Sequence, residues 1–236
     1  MNSTTALRKV ALMAGTGYLA IFFTGIFANF FVLEKLVVRD DANLTLNNIT
    51  TNAGEFRLGI LAFIIMVLFD LVLTWALYVL LQQVGKKMAL FMAWFRLVNC
   101  AIFAVALFQL FDVLELTGGH AYLEAMPTEY IRAEVMRALS AFNYTWLLGL
   151  LFFGVHLLAL GLLVLRARYI PKFIGVLLLL AGVGYLTDSF AQFLLTNYAA
   201  YQDMFMLVVV IPGVVGELSF TVWLLLRGGR QQLVIA

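Results

Sequence analysis

The sequence predicts an all-α fold: a polytopic membrane bundle of six transmembrane helices, with both termini in the cytoplasm. Three observations predict it. The chain is 64% hydrophobic and 12% charged, with a mean hydropathy of +1.01, whereas a soluble domain carries charge on about a quarter of its residues. Six apolar stretches, roughly 10–33, 57–81, 88–115, 138–165, 172–195 and 204–226, reach the ~20 residues that a helix needs to cross the hydrocarbon. The connector cations are unevenly shared. Arg8, Lys9, Lys86, Lys87, Arg166, Arg168, Lys172, Arg227 and Arg230 fall on one side, and only Lys35, Arg39, Arg57, Arg132 and Arg137 on the other, so the richer side is assigned to the cytoplasm. One integral-membrane domain over 1–236 is expected.

The first stretch follows Arg8 and Lys9. It is longer than the apolar core of a signal peptide and lacks a small-x-small site after it, so it reads as a retained span. In the connector 34–56, RDDANLTLNNITTN offers Asp41 as an N-cap, and the Asn and Thr that follow support no more than a short surface helix. The second and third spans are joined by the tight turn QQVGKK at 82–87. In the connector 117–137, Pro127 suits a first helical turn with Glu129 just behind it, and Ile131, Val135, Leu139 and Phe142 repeat at helical spacing. The fourth helix is therefore expected to begin before the membrane. RARYIPK makes a second tight turn before the fifth span, and Pro212 in the sixth frees a carbonyl and bends the helix.

The net charge of +2 provides no concentrated basic face, so a nucleic-acid partner is not expected. The lipid bilayer is the partner that this composition requires. A single cysteine, Cys100, excludes an intramolecular disulfide and reads as a small apolar filler.

The informative residues are the polar ones inside the spans. Counted from the inner end of each span, Asp70 lies 12 residues before Gln82, Arg96 lies 9 after Lys87, and His156 and Glu217 each lie 10 before an arginine. At about 1.5 Å per residue all four stand roughly 13–18 Å from the inner surface, near the midplane. Asp188, 16 residues beyond Lys172, stands about 24 Å up, towards the outer face. Asn99, Asn143, Thr187, Ser189 and Gln192 add polar atoms. Charges tolerated at random would snorkel from span ends, so groups sharing one level are expected to face each other.

Arg96 is the only intramembrane cation that is always charged, so at least one of Asp70, Glu217 and Asp188 is expected to be its counter-ion. On the fifth span, Tyr185, Asp188 and Gln192 form a polar stripe that should face the fourth and sixth spans, leaving Leu179, Val183, Phe190 and Leu194 to lipid. If Asp188 only caps a neighbour, Tyr144 or Asn143 is the candidate.

Three readings of this set stay open. Asp70, Arg96, His156, Asp188 and Glu217 can line a polar midplane pocket that binds a small amphipathic molecule, lipid or ion, as in a carrier or sensor. Alternatively, His156 with Glu217 and Asp188 can serve an intramembrane enzyme, possible as a metal-assisted one. Lastly, the charges can be a structural network that sets helix register. No nucleophile elbow, Walker loop, dinucleotide fingerprint, HExxH or CxxC is present, so no metal or cofactor is assigned.

FRLGI at 56–60, FFGVHLLALGLLVLRARYIPKFIGVLLLLAGVGYLTDSF at 152–190 and PGVVGELSFTVWLLLRG at 212–228, with EKLVVRDDANLTLNNI after the first span, resemble the bacterial multi-spanning membrane family called domain of unknown function 4386. The resemblance covers nearly the whole chain. It implies a bacterial or archaeal cytoplasmic membrane protein of about six helices, with Arg57, Arg96, His156, Asp188 and Glu217 at positions where the family pattern is polar. It implies no activity. Met126 departs from the Ser or Thr cap that many relatives carry before the proline of the second outer connector.

Overall fold

The computed structural model describes residues 3–230, and among these there are only helices, turns and bends. Helix α1 (Ser3–Ile26) runs on through a π-helical segment, Phe27–Leu33, into the short turn Glu34–Leu36. The Glu34 N–H reaches back five residues to the Asn29 carbonyl, the register of a π-bulge. Helix α2 (Ala42–Thr51) is the predicted surface helix, and the Asp41 carboxylate caps it by accepting from the Leu44 N–H at 2.8 Å. It is held more firmly than its composition suggests. Thr45 exchanges two 2.9 Å hydrogen bonds with the Val38 backbone, and Asn48 Nδ2 donates to the Leu36 carbonyl at 3.2 Å.

The helix Ala53–Leu116 departs from helical geometry at Gly85 (φ −179°, ψ 93°). This break separates α3, residues 53–84, from α4, residues 86–116. The tight turn expected over 82–87 is there, reduced to this one extended residue. Helix α5 (Thr128–Arg166) begins ten residues before the expected span at 138, and the Pro127 carbonyl accepts the N–H of Tyr130 and Ile131 in its first turn. Helices α6 (Lys172–Leu194) and α7 (Gln202–Leu226) complete the set. Among the described residues five helices are long and apolar enough to cross a membrane, and the break at Gly85 makes them six. The protein is a multi-pass helical membrane bundle.

By internal contacts the chain divides into two compact units. One comprises the described residues within Met1–Leu19, Phe69–Cys100 and Leu147–Ala236, and the other Ala20–Leu68 and Ala101–Trp146. The second unit packs an aromatic core in which the Trp146 ring stacks on Phe103 at 3.7 Å and touches Phe63 and Phe142. In its connector, Tyr122 donates to Glu115, and this hydrogen bond holds the Tyr122 hydroxyl above its usual pKa.

The first unit carries the polar set. Here α5 and α6 pack through Gly154 and Gly161 against Gly175 and Gly182, each pair seven residues apart as in a left-handed helix pairing. A Cβ at Gly161 would stand 2.9 Å from the Gly175 carbonyl, and one at Gly182 would stand 2.9 Å from that of Gly154. Only a hydrogen fits at this approach. Pro212 lies inside α7 and removes the N–H that the Val208 carbonyl would accept. That carbonyl instead faces α6, where a Cβ at Gly184 would stand 3.0 Å from it.

Candidate functional site

Asp70 on α3 and Arg96 on α4 lie on either side of the break at Gly85, which brings them to one level of an antiparallel pair. Arg96 Nε donates to Asp70 Oδ1 at 2.8 Å, and Nη2 donates to the same oxygen. Arg96 Nη1 lies 3.0 Å from His156 Nε2 on α5, and His156 Nδ1 lies 2.9 Å from the Met92 carbonyl. Arginine only donates and a carbonyl only accepts, so this pattern assigns His156 as the neutral Nδ1–H tautomer. Relative exposures of 3% for Asp70, 1% for Arg96 and 0% for His156 put the triad out of contact with solvent.

The guanidinium is also enclosed by two aromatic faces. The Tyr18 ring on α1 and the Phe153 ring on α5 each lie 5.4 Å from Arg96 Cζ, within cation–π range. The sequence reading missed both residues. Tyr18 stands nine residues above Lys9, a rise of about 14 Å, which places it at the level of the charged set and is the signal that finds it.

Glu217 on α7 is half-buried and within electrostatic reach of Arg96, Asp70, Tyr18 and Tyr185. Among the described residues its carboxylate makes no hydrogen bond or ion pair; only its backbone carbonyl is engaged, by Thr221 Oγ1 at 2.7 Å. The Tyr18 hydroxyl, 3% exposed as a residue, completes no hydrogen bond of proper geometry among the described residues. The same holds for Asn99 Oδ1 and Ser189 Oγ, although Asn99 Nδ2 donates to the Gly149 carbonyl at 3.1 Å. Buried polar groups normally find partners, so the Tyr18 hydroxyl, whose ring lies against the fixed cation, is chemically informative.

Asp188 has hydrogen-bond partners of its own, and Tyr185 lies within electrostatic reach of both it and Glu217. Asp188 Oδ2 accepts from Gln192 Nε2 at 2.8 Å and its Oδ1 from the Tyr198 hydroxyl at 2.6 Å. Of the expected stripe, Tyr185 meets Phe153 of α5 and Gly213 of α7, whereas Asp188 meets Gln192 and Tyr198; on the side expected to face lipid, Val183, Phe190 and Leu194 are exposed, but Leu179 is a correction, since it packs against Gly161 of α5. The expected capping partners are corrected: Tyr144 and Asn143 are exposed, and Tyr198, from the turn after α6, takes their place. A connector folding back onto its own helix brings it there.

The structure therefore unites Asp70, Arg96 and His156 by direct hydrogen bonds, with Glu217 at electrostatic range and Asp188 held by its own partners. As an acid–base or metal site the set is poorly provided. Both His156 nitrogens are occupied, and both Asp188 oxygens accept hydrogen bonds. No solved structure matches the chain. An uncharacterized protein of Archaeoglobus fulgidus is 30% identical over 178 residues, which cover 75% of this chain and 88% of that relative. The pattern of the family described as "Domain of unknown function (DUF4386)" matches residues 13–228, a stretch that includes all three segments on which the resemblance rests, and the chain belongs to that family.

Proposed function

We propose that this is a carrier- or sensor-type protein of the cytoplasmic membrane, with both termini inside and the whole of 1–236 acting as one domain. In this reading it binds a small amphipathic molecule, lipid or ion through Asp70, Arg96, His156, Asp188 and Glu217. One observation carries the reading: within electrostatic reach of Arg96, the Glu217 carboxylate makes no hydrogen bond and the Tyr18 hydroxyl completes none of proper geometry, among the described residues. The Asp70–Arg96–His156 triad is mutually saturated and serves as a preorganised floor. Glu217 and Tyr18 are the open valences, and they suit a ligand head that donates hydrogen bonds, such as an ammonium, a hydroxyl or a hydrated cation. The Phe153 and Tyr185 rings, 5.2 Å apart and edge-on, supply apolar surface for the rest of the ligand.

The saturation of the triad also favours a second reading, in which the charges set helix register and bind nothing. Native mass spectrometry of the full chain separates the two. A ligand retained by the wild type and lost from the Glu217→Gln, Tyr18→Phe double variant is the expected result, and identical spectra would leave the structural reading. Orientation is tested independently by placing a cysteine at exposed Gln83 in a Cys100→Ala background. It should react with an impermeant reagent only after the cells are opened.

A further inference from the structure

The turn from α5 to α6 and the end of α7 enclose a second feature, which shares no residue with the polar set. A cavity of about 370 Å³ is lined by Arg168, Tyr169, Ile170, Pro171, Lys172, Trp223 and Arg227. Its walls are aromatic, since the Tyr169 and Trp223 rings stack with centroids 6.0 Å apart, and Trp223 is 8% exposed. Its charge is of one sign. Arg168, Lys172 and Arg227 are all exposed, and no acid lines the cavity. Lys172 Nζ is partly occupied, because it donates to the carbonyls of Leu165 and Ala167 at the end of α5. Arg168 and Arg227 make no ion pair among the described residues.

We propose that this cavity binds the phosphate of an anionic phospholipid headgroup. Two guanidiniums provide planar, paired donors that match phosphate oxygens, and Lys172 adds a point charge. The cavity lies where three apolar helices end, at the boundary between hydrocarbon and water, so a lipid phosphate is at the right height. An aromatic pair beside it suits the glycerol and upper acyl region. The proposal stands apart from the reading of Glu217 and Tyr18, and it does not depend on which side of the membrane this end faces.

The test uses the purified full chain in neutral detergent, melted with added phosphatidylglycerol, phosphatidylcholine or inorganic phosphate. With phosphatidylglycerol at one hundred times its Kd, the melting temperature should rise by about 5–10 °C. Phosphatidylcholine should give little, and the rise should shrink with added salt. The rise should be lost in Arg168→Ala, Arg227→Ala and kept in Lys86→Ala, Lys87→Ala, which removes the same charge elsewhere. Because Arg168 lies in a turn and exposed, Arg168→Ala alone is a second variant that leaves the helices intact, and it should weaken the effect. Equal rises in both double variants, or equal losses, overturn the proposal. An equal rise with inorganic phosphate also overturns it, by assigning the cavity to a free ion.

Discussion

Removing Asp70 while keeping Arg96 should destabilise the protein more than any exposed substitution can. In the wild type two Arg96 donors meet one Asp70 oxygen, a third meets His156, and the guanidinium is 1% exposed. Asp70→Ala leaves a permanent cation buried in contact with a neutral imidazole and two aromatic faces, with the Glu217 carboxylate only at electrostatic range. Breaking a buried pair from one side costs about 3–5 kcal/mol. At about 2–4 °C per kcal/mol for a chain of this size, the melting temperature should fall by roughly 10 °C. Arg96→Met should cost less, because the carboxyl left behind can take up a proton whereas a guanidinium cannot give one up. The double variant Asp70→Ala, Arg96→Met removes both charges and should recover most of the loss. Thermal melting of the three variants in one detergent forms a double-mutant cycle. If the double variant loses the sum of the two single losses, within about 0.5 kcal/mol, the two residues do not act as a pair and the reasoning is refuted.

Nitrogen-15 spectra of histidine-labelled protein at pH 7 should show His156 as the neutral Nδ1–H tautomer; an imidazolium signal would contradict its assignment between Arg96 and Met92. Gly161→Ala places a methyl 2.9 Å from the Gly175 carbonyl, so it should cost about 1–3 kcal/mol in the same melt, and an unchanged melting temperature would mean that α5 and α6 part freely. Asp41→Ala removes the cap on Leu44 N–H and should cost about 1 kcal/mol locally. Hydrogen exchange should then quicken over 42–51 and stay unchanged over 172–194.

The six spans were legible in the sequence because each is a local property: about 20 apolar residues in a row can satisfy their backbone in lipid only as a helix. The level shared by Asp70, Arg96 and His156 was legible for a similar reason, since a fixed rise per residue turns sequence distance into depth. Asp41 as a cap follows from its own side chain and the backbone three residues on. What sequence distance cannot supply is azimuth, the direction in which each side chain leaves its helix, because that depends on how neighbouring helices rotate against each other. Azimuth made Asp70 the partner of Arg96, left the Glu217 carboxylate without a hydrogen bond among the described residues and brought Tyr18 over the guanidinium. It likewise let the turn after α6 return Tyr198 to Asp188 in place of Tyr144. The cavity at Arg168 and Arg227 belongs to the same class: two cations 59 residues apart meet only because α6 and α7 pack side by side, and that packing rests on the close contacts of Gly184 and its neighbours.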